Sequence, residues 1–105
     1  WNTLAVWDLK KLALTGFSLV SDGHLTSKDK PSYGIEEVVA TAILQKLLGA
    51  DQAKAKLMCL DSVDWNQSFD DPERKLWHEQ KMQSKLERAR RQLDLLGLSG
   101  IVEHC

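Results

Sequence analysis

A chain of 105 residues with 43% apolar and 28% charged side chains has the composition of one small globular domain, spanning residues 1–105. Its net charge of −1 excludes a protein that holds polyanions through its overall field. No apolar run approaches the roughly 18 residues that a membrane-spanning helix needs.

Apolar spacing and capping residues predict an all-α fold of about four helices with one short β-hairpin. The first helix is expected from Thr3 to Leu14, capped by Asn2 or Thr3, with Leu4, Ala5, Trp7, Leu9, Leu12 and Ala13 on a broad apolar face and Gly16 as its stop. Residues 17–26 follow, and Asp22-Gly23 between short apolar runs is the signature of a tight hairpin turn. A polar loop with Pro31 and Gly34 leads to a second helix over about Ile35 to Leu48. Ile35, Val38, Val39, Ala42, Ile43 and Leu47 share one of its faces. Glu36 and Glu37 in the first turn and Lys46 in the last suit the helix dipole, and Gly49 ends it. Asp51 is placed to cap a third helix, about Gln52 to Leu60, with Ala53, Leu57, Cys59 and Leu60 facing inward. An acidic linker over residues 61–71 carries Trp65 and Phe69.

The last helix has the clearest punctuation. Asp71 is the expected N-cap, Pro72 the first helical residue, Glu73 a first-turn acid and Gly97 the stop. The roughly 25 residues between them make a rod of about 37 Å. Met82, Leu86, Ala89, Leu93 and Leu96 recur at steps of four and three, the spacing of a packing seam. Upstream of Met82 the seam fails, because Lys75 and Glu79 fall where it would continue. The C-terminal half of the helix is therefore expected to pack along its length. Leu76 and Trp77 are left as the large apolar groups of a half that faces solvent or another protein.

Candidate chemistry is sparse. His24, His78 and His104 stand in no metal-ligand spacing, and no nucleophile elbow or phosphate loop occurs, so neither an enzyme nor a cofactor site is expected. Cys59 and Cys105 can make at most one bridge and do not form a disulfide framework, which fits a reducing compartment. The chain begins at Trp1 rather than Met, as removal of a targeting peptide would leave it.

The features that remain are those of a docking surface. From Pro72 to Leu93, Arg74, Lys75, Lys81, Lys85, Arg88, Arg90 and Arg91 oppose Glu73, Glu79 and Glu87, a local net charge of +4. This flank is either an ordinary solvated face, with Glu87 and Arg91 paired one turn apart, or a surface for acidic protein, anionic lipid headgroups or RNA. The acidic linker could instead fold back and neutralise part of it. Four tryptophans, Trp1, Trp7, Trp65 and Trp77, are more than a small core buries easily, and indoles are enriched in interfaces. Trp1, Trp7, Trp65 and Trp77 are thus the expected anchors, and Lys81, Lys85, Arg88 and Arg91 the expected electrostatic contacts. Residues 47–57 superficially resemble a helix-turn-helix. However, Gln45 stands where that motif takes a small residue, and Lys54 and Lys56 come without an arginine to read a guanine edge. A pI near 6.3 also speaks against nucleic acid.

The order of elements resembles the ubiquinol–cytochrome c reductase binding protein family, subunit 7 of the cytochrome bc1 complex. Lys11-Leu12-Ala13-Leu14 stands in place of that family's early Lys-Leu-Gly-Leu element, and Asp22 and the loop to Gly34 match its irregular stretch. Glu36-Glu37-Val38-Val39-Ala40 matches a helix opened by acidic residues. The segment Asp51 to Asp61, closing on Cys59-Leu60-Asp61, stands for a basic amphipathic helix, and Asp71-Pro72 opens the charge-rich final helix. This sequence has Ala13 where the family has glycine, Lys54 and Lys56 where it is richer in arginine, and Leu95-Leu96-Gly97 where it is more charged. The resemblance implies a non-catalytic accessory subunit of the respiratory electron-transport chain. Such a subunit lies on the matrix face of the mitochondrial inner membrane, against cytochrome b and neighbouring subunits, with no span and no cofactor of its own. The other expectation is a free-standing helical module that binds nucleic acid or regulates a partner.

Overall fold

The computed structural model describes residues 4–18, 35–62 and 69–105. These residues are largely helical. The elements, in order, are α1 (Leu9–Leu12), α2 (Glu36–Leu48), β1 (Lys56–Leu57), α3 (Pro72–Leu96) and β2 (Glu103–His104). Three helices are present among the described residues, where about four were expected. The predicted hairpin turn at Asp22-Gly23 lies outside the described residues. The sheet that is described lies elsewhere and is parallel, pairing Lys56 with Glu103 and Leu57 with His104.

The first helix is shorter than expected. Asp8, not Asn2 or Thr3, is the N-cap, its carboxylate accepting from the N–H groups of Lys10 and Lys11 at 3.0 and 3.1 Å. Upstream, Leu4 and Val6 are 77% and 90% exposed, so this part of the expected apolar face packs on none of the described residues, and packing rather than periodicity stabilises short helices. Gly16, at φ 62°, closes the turn by donating to the Leu12 carbonyl at 2.7 Å. Trp7 is half-buried against Phe17 in an edge-to-face pair with 5.2 Å between ring centroids. The Lys11 ammonium donates to the Gln52 carbonyl and ties α1 to the turn after α2.

α2 is the centre of the molecule. No residue from Ile35 to Gln45 is exposed, and the buried positions Ile35, Val39, Ala40, Ala42, Leu44 and Gln45 run all round the helix rather than along one face. Val38 and Ile43 of the expected face are half-buried, and Leu47 at its end is exposed. The helix stops where expected, at Gly49, whose φ is 86°.

The third predicted helix does not form. One turn begins, with Ala53 N–H donating to the Gly49 carbonyl at 3.0 Å, and the chain then extends into β1. Asp51 therefore caps no helix. The carbonyls that a helix over 52–60 would use are taken by other partners. Ala53 O accepts from the Gln45 amide at 3.0 Å, and Ala55 O and Leu57 O accept from Glu103 and Cys105 N–H, each at 2.9 Å. Local preference for helix in AKAKL yields to these long-range bonds.

Gln45 is the hinge of that arrangement. Its Nε2 also donates to Ile101 O at 2.8 Å, and its Oε1 accepts from Ile101 N–H at 2.8 Å. The side chain thus pairs with the Ile101 backbone as a neighbouring strand would, and it does so while only 8% exposed. The tail lies directly on α2 here, since a Cβ at Gly100 would sit 3.7 Å from Ala42 and 3.4 Å from Gln45 Oε1.

α3 follows its punctuation. The Asp71 carboxylate accepts from Glu73 N–H at 3.0 Å, and Pro72 opens the 25-residue helix. Gly97, at φ 63°, ends it, with Leu98 N–H reaching back to Leu93 O at 2.9 Å in the manner of a Schellman motif. The packed face differs from the expected seam. His78, Met82, Lys85, Ala89, Gln92 and Leu96 repeat at steps of four and three and are buried or half-buried, whereas Leu86 is 42% exposed. The packed line therefore runs through Lys85 and Gln92 rather than Leu86 and Leu93, with Leu93 half-buried beside it. A lysine can occupy such a line because its aliphatic stem packs while its ammonium reaches outward.

Two stability tests follow. Gln45→Leu removes three hydrogen bonds and leaves backbone groups of Ile101 and Ala53 without them, so urea unfolding should show a loss of roughly 2–4 kcal/mol. Ala89→Asp puts a charge into the α2–α3 contact and should cost about 3 kcal/mol or more, while Leu86→Asp should stay within about 1 kcal/mol. Equal costs at the two positions would mean that the seam runs through Leu86 after all.

Candidate interaction surface

The first six residues of α3 stand clear of the packed seam. From Pro72 to Trp77 every residue is exposed, and Leu76 and Trp77 are 55% and 59% exposed. The helix is held at this end by its cap and by His78, which is half-buried with its ring 4.9 Å from that of Phe69. Lys81, one turn beyond Trp77, brings its ammonium to 4.9 Å from the centroid of the indole. At about 100° per residue, Trp77, Lys81, Ser84, Arg88, Arg91 and Leu95 fall on one line along the rod. The line carries three cations and no carboxylate, with an exposed aromatic at one end and a 57% exposed leucine at the other.

The expected site residues divide into separate groups. Trp77 and Lys81 are exposed and in contact. Arg88 and Arg91 share their line but are half-buried, and the Arg88 Nε donates to Ser84 O at 3.2 Å on its own helix. Lys85 falls on the packed side, beside Ala89 and Gln92 rather than with Lys81. Trp7 is engaged by Phe17 on the N-terminal arm. Trp1 and Trp65 lie outside the described residues. The possible pairing of Glu87 with Arg91 has a competitor, since Glu87 Oε1 accepts from Gln83 at 3.0 Å.

A second exposed apolar region was not anticipated. Met58 and Leu60 after β1, and Ile101 and Val102 before β2, are 45–66% exposed. They are brought to one small parallel ladder whose rim is an ion pair of Lys56 with Glu103 at 3.7 Å. Of the expected inward-facing residues Ala53, Leu57, Cys59 and Leu60, the turn and strand leave Ala53 and Leu57 half-buried and Cys59 and Leu60 exposed. The sequence carries one signal of this arrangement in Gln45, a polar residue on the apolar face three residues after Ala42 and seven after Val38.

Among the described residues, no group of three His, Cys, Asp or Glu side chains is placed to hold a metal ion. No described helix is long and apolar enough to cross a membrane. No protein-family model matches the chain, and no curated protein or solved structure matches it either.

Because Trp77 lies outside the packed seam, Trp77→Phe should remove an iodide-quenchable part of the fluorescence and leave the urea midpoint nearly unchanged, within about 0.5 kcal/mol. Loss of a shielded component together with a large loss of stability would place the indole in the core.

Proposed function

We propose that this chain is a non-catalytic accessory or assembly subunit that docks onto larger protein partners through α3 and the small sheet. One observation carries the reading. Among the described residues six apolar side chains are buried, three of them alanines, while fourteen large apolar side chains are exposed. Single exposed leucines are ordinary, but grouped ones that outnumber the core mark surfaces that a partner covers. The radius of gyration of 15.3 Å supports this, since a compact chain of this length has about 13 Å. Docking supplies the burial that the chain does not achieve alone. Trp77, stiffened by Lys81, is the anchor, and the cations of α3 select an acidic neighbour.

Within that class, the resemblance in element order carries the finer reading of a peripheral matrix-side subunit of a respiratory complex of the bc1 type, seated against cytochrome b and its neighbours. The acid-opened α2 and the proline-opened α3 support it. Residues 51–61 depart from it, because the basic amphipathic helix of that family is here a turn and a strand.

Native fractionation of the source material, with the chain followed by mass spectrometry, tests both levels. Co-migration with a large membrane assembly through detergent and moderate salt is expected, and Trp77→Ala with Lys81→Glu should shift a substantial part of the chain to the free fraction. Migration as a free monomer would overturn the subunit reading. If that monomer bound nucleic acid with affinity falling steeply between about 50 and 200 mM salt, the free-standing module would replace it. Co-migration with an assembly other than the bc1 complex would leave the accessory role and overturn the finer assignment.

A further inference from the structure

Cys59 and Cys105 are far apart in the sequence and adjacent in the fold. Cys59 follows β1 by two residues and Cys105 follows β2 by one, and the Cys59 N–H donates to the Cys105 carbonyl at 3.4 Å. Both side chains are exposed, and neither thiol is in a disulfide. Paired strands lie about 4.8 Å apart and each residue advances about 3.3 Å, so partners offset by one residue, as Cys59 and Cys105 are in this register, have Cα atoms about 6 Å apart, within the span that a disulfide bridges. Continued regularly, the ladder would set the two side chains on opposite faces. Regular pairing ends at Leu57 and His104, however, and the 3.4 Å Cys59–Cys105 bond is the last and longest rung, so turning one side chain round gives up that one weak bond while the Cys105 N–H to Leu57 carbonyl bond at 2.9 Å still holds the tail beside β1.

We propose that Cys59 and Cys105 form a dithiol modification site that closes to an intramolecular disulfide when exposed to a low-molecular-weight disulfide such as oxidised glutathione. Either thiolate attacks one sulfur of the small disulfide, cleaving its S–S bond, releasing one thiol and leaving a mixed disulfide on the protein. The second protein thiolate then attacks the protein sulfur of that mixed disulfide and expels the other small thiol. In balance, the two cysteines lose two electrons and two protons, and the small disulfide gains them as two thiols. Closure staples the tail to β1 and encloses α3 in the loop between the two cysteines. It fixes covalently the register that Gln45 and the ladder hold by hydrogen bonds.

The test uses the full chain, reduced and then exposed to excess oxidised glutathione, with the intact mass and the peptide map as readouts. The expected product is a monomer lighter by two hydrogens, with the Cys59 and Cys105 peptides linked. The ratio of bridged to doubly glutathionylated chain should be on the order of tenfold higher for folded than for urea-unfolded protein, because the fold sets the two thiols at a high effective concentration. Cys59→Ser and Cys105→Ser should each trap one glutathione on the remaining cysteine. Chain-to-chain disulfides, or two stable glutathione adducts on the folded chain, would overturn the proposal. So would a ratio unchanged by unfolding, because the bridge would then owe nothing to the fold.

Discussion

The side-chain amide of Gln45 donates to the carbonyls of Ala53 and Ile101 and accepts from the N–H of Ile101, and the course of the chain on either side of α3 depends on those three bonds. One end of this amide stops residues 52–60 from continuing as a helix; the other lays the tail beside them as a strand. Without it, a four-residue parallel ladder would have little to hold it, since isolated pairs of short strands are marginal in water. The amide is buried on a helix that nothing leaves open to solvent from Ile35 to Gln45, so its bonds are strong and their loss is costly. A polar residue in the middle of a small core thus acts as the fold's organiser.

Among the described residues, α3 and the tail pack on α2. Alanines at 40, 42 and 89 let chain segments approach closely but contribute little apolar area of their own. The molecule measures 45 × 40 × 18 Å, and the thin dimension leaves room for few layers. Among the described residues fourteen large apolar side chains are exposed, most of them on the N-terminal arm, beside the small sheet and on α3. A protein built this way gains more from contact with a partner than from its own interior, which is the physical basis of the docking role proposed for it.

How much of this could be read from the residues varies along the chain. Both ends of α3 were legible, because Asp71, Pro72 and Gly97 act locally, through a carboxylate, a fixed φ and a positive φ. The stop of α2 at Gly49 was legible for the same reason. The segment 52–60 was not, because its alanines, lysines and leucines favour helix and the bonds that override them come from Gln45 on α2 and from tail residues more than forty positions away. The length of α1 was not legible, because an apolar stripe makes a helix only where it is covered, and Leu4 and Val6 are exposed. On α3 the apolar pattern points to a seam through Leu86 and Leu93, whereas the packed line admits Lys85 and Gln92, whose aliphatic stems fill space. Of the candidate site, the exposed Trp77 above the seam was foreseeable from Lys75 and Glu79; its contact with Lys81 follows from their one-turn spacing. The apolar rim of the sheet was not foreseeable, because the sheet was not.

The unbroken run of α3 from Pro72 to Leu96 makes its two halves one rigid body in rotation as well as in length. The C-terminal half is keyed to α2, so the bearing of Trp77 is set by how many residues separate it from Ala89. One residue added near Ser84 would move the indole by only about 1.5 Å along the rod but swing it round by about 100°, presenting a different face to any neighbour. Seven added residues would nearly restore the bearing and carry the indole about 10 Å further out. The helix is in that sense a gauge with both a length and a phase. Point substitutions along its exposed side should be tolerated in the lineage of this chain far more readily than insertions or deletions whose number is not close to a whole count of turns.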